Sequence, residues 1–128
     1  MVGGVADDSL YARIGGEPVL AIAVERLYAR MMVDERLRPF FDMLEVGDLV
    51  RKQLAFMSHV LGGPDLYSGR DLRSAHARLV HQLGLSDVHF DAVADHLHAT
   101  LAEMGIAESL IWEVLARVAA TRSEVLDR

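Results

Sequence analysis

Glycine breaks at Gly15-Gly16, Gly62-Gly63-Pro64, Gly84 and Gly105 cut the chain into stretches of helix length, and this punctuation most constrains the fold. Helix interiors disfavour glycine and proline, so such residues mark ends. Between the breaks apolar residues return every three or four positions and do not alternate, which is the period of a helix and not of a strand. Ser9 to Ile14 forms a short amphipathic turn before the first break. Glu17-Pro18 opens a long helix, with proline in its first turn, whose apolar side holds Leu20, Val24, Leu27, Tyr28 and Met31 and which ends near Val33-Asp34. A short helical piece, ERLRPFF, ends in Phe40-Phe41. The next helix begins near Gly47-Asp48 and carries Leu49, Gln53, Phe56, Met57 and Val60. The stretch PDLYSGRD, 64–71, is turn-rich and reads as irregular. A helix then runs to about Leu83, with Gly84 as its cap. Ser86 caps another, bearing Phe90, Val93, Ala94, Leu97, Leu101 and Met104. The last helix runs from about Ala107 to Leu126, with Leu110, Ile111, Val114, Leu115, Val118 and Val125 toward the core. The expected fold class is all-α.

A chain of 128 residues is most simply one domain, 1–128, with about the first eight residues as a flexible leader. Acidic residues outnumber basic ones 19 to 13, giving a formal charge of −6, and Lys52 is the single lysine. No basic stripe is present to hold a phosphate backbone, so a nucleic-acid partner is not expected. With no cysteine, disulfides, thiolate metal ligands and cysteine nucleophiles are excluded. No apolar run has the length of a membrane span, and the start MVGGVADDSL lacks a signal core. The expected location is cytoplasmic.

Three polar residues break the apolar stripes. In LRSAHARLVHQLG, His76 lies among Leu72, Leu79, Val80 and Leu83, whereas His81 lies roughly 140° around the helix. An imidazole on an apolar stripe needs a hydrogen-bond partner or a metal. Tyr28 edges the stripe of its helix, and Gln53 stands inside its own. Each alone has an ordinary reading: a core tyrosine bonded to a carbonyl, a glutamine at the rim, a satisfied core histidine. Together, a histidine ligand facing two neutral donors suits dioxygen held at a metal. There is no HExxH, no Glu-x-x-His pair and no Cys/His zinc spacing, so a single protein ligand would leave the other metal bonds to a macrocycle. Spacing leads as far as suspecting haem. The remaining histidines, His59, His81, His89, His96 and His98, read as solvated or structural.

At these residues the chain resembles the truncated haemoglobins of group I, over nearly its whole length. The resemblance is carried by SLYARIGG, YARMMVDERLRPFF, LVRKQLAF, LRSAH and GLSDVHFDAVADHL in that order. It implies a shortened globin fold, a two-over-two helical sandwich around one haem b, with loop replacing much of the proximal helix. It implies His76 as the proximal iron ligand, and Tyr28 and Gln53 as the distal pair that contacts dioxygen. Leu49 stands where many globins place a distal histidine, and Phe41 matches the phenylalanine packed on the porphyrin. Lys52 matches a position that reaches a haem propionate, where some relatives have a histidine that closes the sixth coordination site. Phe56, Leu72, Val80, Phe90, Val93 and Val118 would line the pocket, and each reads equally well as plain core. Met57 stands where several members carry a phenylalanine proposed to gate a gas tunnel. The activity implied is reversible dioxygen binding with oxidation of nitric oxide to nitrate, an external reductase supplying electrons. The alternative is a haemoglobin that binds, stores or senses diatomic gases without turnover. A helical module without cofactor is the third reading.

Overall fold

In the computed structural model the described residues are 8–42, 45–64 and 72–128, with 72–75 described by backbone alone. The expected leader and the expected irregular stretch 64–71 lie outside them, apart from Asp8 and Pro64. The side-chain oxygen of Ser9 accepts from the Ala12 N–H at 3.1 Å and starts α1, Leu10–Ile14. Gly15 then turns the chain at φ 120° directly into α2, Gly16–Met32. A Cβ on Gly15 would stand 2.3 Å from Val19 Cγ2, so this sharp junction excludes any side chain.

After α2 the piece ERLRPFF forms a single 3₁₀ turn, Arg38–Phe40. It is followed by α3, Val46–Val60, α4, Leu72–Leu83, and α5, Asp87–Glu103. Gly84 and Gly105 take positive φ, 76° and 80°, at the ends of α4 and α5, the conformation that glycine adopts without penalty.

The expected single last helix is two: α6, Glu108–Ala119, and α7, Arg122–Val125. The reason lies at Thr121. Its N–H and its hydroxyl both bond the Val118 carbonyl, at 2.9 and 2.7 Å. A threonine that satisfies its side chain on its own backbone competes with helix continuation.

The architecture is two helix pairs, α2 with α3 and α5 with α6, stacked through contacts of α2 with α5. This is the two-over-two arrangement expected. One apolar core runs through both pairs, including Leu20, Leu27, Met57, Leu101, Ile111 and Val114. The α1 turn packs on α2 and α6, and its Tyr11 N–H donates to the Leu61 carbonyl at the end of α3 at 2.9 Å. A smaller second cluster, Phe90, Val125 and Leu126, lies under α7, which packs on α4. None of the described side chains of α4 is fully buried: His76, Leu79 and Val80 are half-buried, and Leu83, expected on the apolar stripe, is exposed. Among the described residues no helix is long and apolar enough to cross a membrane.

Candidate functional site

A cavity of about 170 Å³ is lined by residues of both apolar clusters. Every long helix contributes to its wall. Tyr28 and Met31 come from the last turns of α2, Phe41 from just beyond the 3₁₀ turn, and Leu49, Gln53 and Phe56 from one face of α3. His76 and Leu79 come from α4, Phe90 and Val93 from α5, and Val118 from α6. Leu49, Gln53 and Phe56, at offsets of four and seven, form one helical stripe, so the same periodicity that builds the core aims Gln53 at the cavity.

The Tyr28 ring is 8% exposed and sits edge-on to Phe41, with centroids 5.7 Å apart and planes at 80°. Among the described residues nothing accepts a hydrogen bond from its hydroxyl. Burial pushes its pKa up to about 12, so at neutral pH it keeps its proton and remains a donor. Gln53 is half-buried and its amide also has no partner among the described residues. Buried donors without acceptors are uncommon in folded proteins, because each carries an uncompensated desolvation cost. The wall is otherwise almost wholly apolar. Such a cavity, with an imidazole and two unsatisfied neutral donors, fits an apolar group that brings its own acceptor. Among the described residues no cluster of three His, Cys, Asp or Glu could hold a metal ion. A metal taken by His76 would therefore need ligands from elsewhere, which is what a macrocycle provides.

The structure brings together nine of the residues singled out in the sequence: Tyr28, Phe41, Leu49, Gln53, Phe56, His76, Phe90, Val93 and Val118. Lys52 is exposed and Val80 is half-buried, and neither is on the cavity wall. Leu72 opens α4, and its side chain lies outside the described residues. Met57 is buried in the main core and is absent from the wall. Met31, Leu37 and Phe40 extend the wall; the apolar stripe of its helix marked Met31 as buried but not as cavity-facing, and Leu37 and Phe40 lie in a piece too short for a stripe to be read. Leu79 and Leu85 bracket the end of α4. Thr121 and Val125 reach the wall because the chain breaks between α6 and α7, and no residue pattern announced that break.

The histidines divide in a way the sequence did not show. His81, His96 and His98 each meet a carboxylate, Asp127 at 2.7 Å, Asp34 at 2.6 Å and Glu108 at 2.8 Å. His89, expected to be solvated or structural, lines the cavity.

Paired helices around an apolar cavity, with a histidine on one wall and a buried tyrosine hydroxyl on another, define a globin-type site. Residues 9–127 match the family described as bacterial-like globin. The group 1 truncated haemoglobin GlbN of Synechocystis sp. is 44% identical over 108 residues, 84% of this chain and 87% of that protein. Among solved structures, the 2/2 haemoglobin of a Synechococcus sp., in the cyanomet state and with covalently attached haem, superposes with a TM-score of 0.88. It is 40% identical, with 94% of this chain and 99% of that one covered. The truncated haemoglobin of Tetrahymena pyriformis in its Fe(III) form gives a TM-score of 0.85 at 32% identity, over 93% and 98% of the two chains. The chain belongs to the bacterial-like globins and, within them, to the group 1 truncated haemoglobins, which are haem globins of two-over-two fold.

Proposed function

We propose that the cavity holds one haem b with His76 as the proximal ligand, and that the protein binds dioxygen reversibly and oxidises nitric oxide to nitrate. The buried Tyr28 hydroxyl, still protonated and with no acceptor among the described residues, carries this reading. Haem, when bound, supplies the iron centre at which dioxygen and nitric oxide react, one electron per turnover being returned by an external reductase of the cytoplasm. The chain supplies the surroundings. His76 offers a ring nitrogen from α4. Tyr28 and Gln53 donate hydrogen bonds to a diatomic ligand from α2 and α3 and so slow its escape. Phe41, Leu49, Phe56, Phe90, Val93 and Val118 keep water out, which strengthens those two bonds. Lys52 reaches outward toward a haem carboxylate, a role its exposure beside Gln53 on α3 supports.

Absorption spectra of the haem-reconstituted protein in ferric, dithionite-reduced and oxygenated forms test the first half. A Soret band with a stable oxygenated spectrum is expected, and a colourless protein would reject the reading. Rapid mixing of the oxygenated protein with nitric oxide tests the second. Fast stoichiometric nitrate with efficient re-reduction is expected; slow re-reduction would leave a gas-binding, storage or sensing haemoglobin.

A further inference from the structure

We propose that His89 binds the haem, donating a hydrogen bond from Nε2 to a propionate carboxylate at the rim of the cavity. This rests on the haem reading above. His89 is the third residue of α5, in a capping box with Ser86. The Ser86 backbone N–H donates to His89 Nδ1 at 3.0 Å, and Ser86 Oγ lies 3.2 Å from the same nitrogen. A backbone N–H can only donate, so Nδ1 presents its lone pair, and the proton of the neutral ring is on Nε2. The cap thus fixes the tautomer, much as a second-shell partner fixes a ligating imidazole.

The ring is held from the side by Phe40, edge-on with centroids 4.8 Å apart. It lines the cavity between Leu85 and Phe90. Nothing among the described residues accepts from Nε2. His89 is half-buried and on the cavity wall, in reach of both the cavity and solvent. Away from the iron, the only strong hydrogen-bond acceptors on haem are its two carboxylates, and their charge keeps them where the cavity meets solvent. The neighbouring acids do not oppose them. Arg128 and Arg122 both bind Asp87, at 2.6 to 2.9 Å, and Arg122 also binds Asp91 at 2.6 Å. The other donors on the wall are committed elsewhere or face the ligand: Thr121 bonds the Val118 carbonyl, and Tyr28 and Gln53 belong to the diatomic site.

The test compares haem with haem dimethyl ester, whose carboxylates cannot form the charged bond, by following loss of each to excess apomyoglobin. Wild-type protein should release the ester faster than haem by roughly tenfold or more, since one charge-assisted hydrogen bond carries about that factor and Lys52 adds its own charge. In His89→Leu that ratio should fall severalfold. His89→Glu keeps a side chain that caps Ser86 but removes the donor, so it should speed haem loss with unchanged helix content by circular dichroism. His89→Gln, whose amide both accepts from Ser86 and donates outward, should restore much of the retention. An equal ester-to-haem ratio in wild type and His89→Leu overturns the inference while the haem reading stands. Wild-type protein that takes up no haem overturns both.

Discussion

Burial of Tyr28 takes its hydroxyl from water without giving it an acceptor among the described residues, a state that costs about 1–3 kcal/mol until the cavity's contents accept from it. Two consequences separate a ligand-binding tyrosine from a core one. In the haem-loaded protein, Tyr28→Phe should raise the dioxygen dissociation rate about tenfold, the equivalent of about 1.4 kcal/mol, in stopped-flow ligand replacement. In the haem-free protein the same change should leave the urea midpoint unchanged or higher, because it deletes an unsatisfied donor. A Tyr28→Phe variant that loses haem-free stability and keeps its dissociation rate would make the tyrosine a packing residue only. His76→Ala should abolish normal haem ligation, read as loss or displacement of the Soret band, and unchanged coordination spectra would sink the assignment. These residues were legible in the sequence because a polar group on an apolar stripe violates the pattern that surrounds it. Val80 shows the limit of that reading: helical periodicity resolves a face, and a face is wider than a cavity wall, so a residue can share the stripe of His76 and still miss the cavity. His89 broke no pattern: its role comes from a capping box with histidine in the place usually held by glutamate or glutamine.

The helices follow the punctuation closely, because glycine acts through backbone geometry that local sequence alone specifies. The junction of α1 with the end of α3 adds a tertiary contact that local sequence does not carry. A Cβ on Gly63 would lie 2.5 Å from the Tyr11 ring, so Gly63→Ala must displace that ring and the α1 turn with it. A cost of about 1–3 kcal/mol is expected from such overpacking, measured as a fall in the urea midpoint. Gly47, early in α3, has nothing within 4 Å of the position a Cβ would take. There Gly47→Ala should be neutral or stabilising by up to about 1 kcal/mol, from helix propensity alone. Equal effects at the two sites would mean that the Tyr11 contact does not shape the turn. The break between α6 and α7 was illegible for a related reason. Apolar spacing continues smoothly across Thr121, and the docking of Val125 and Leu126 beside Phe90 adds to the Thr121 side-chain bond in favouring the bent chain over a straight helix. That docking brings Val125 to the cavity wall, so an unread bend hid part of the site.

Across the whole molecule, carboxylates tie elements that are distant in sequence. Arg13 of α1 holds Glu113 of α6 through two bonds of 3.0 and 2.9 Å, and Arg122 and Arg128 hold Asp87 at the start of α5. Asp34, just after α2, accepts from the backbone and guanidinium of Arg36 and lies 2.6 Å from His96 Nε2 of α5. These partners hold the carboxyls of Asp34, Asp87 and Glu113 below their ordinary values, in each case chiefly through the arginine's hydrogen bonds. The pairs differ in exposure. Arg13 and Glu113 are 42% and 46% exposed, so solvent screens them, whereas the Asp34 side chain is 10% exposed. Asp34 should therefore dominate the acid limb of the stability curve. Its unfolded pKa is near the ordinary 3.8 and its folded pKa is lower. The stabilisation is then complete above the ordinary value and is lost as pH falls through it toward the folded one. Asp34→Asn should be less stable than wild type at neutral pH, and the gap should close as the solution is acidified through the carboxylate range. Glu113→Gln should follow wild type closely throughout. Asp34→Asn removes the carboxylate from both Arg36 and His96, so the difference between curves reads the Asp34 pairing as a whole. Urea midpoints measured across that range on the haem-loaded proteins give this difference directly. A gap between wild type and Asp34→Asn that stays constant to the lowest pH would mean that Asp34 titrates alike in folded and unfolded chain, and that α2 and α5 are joined by packing alone.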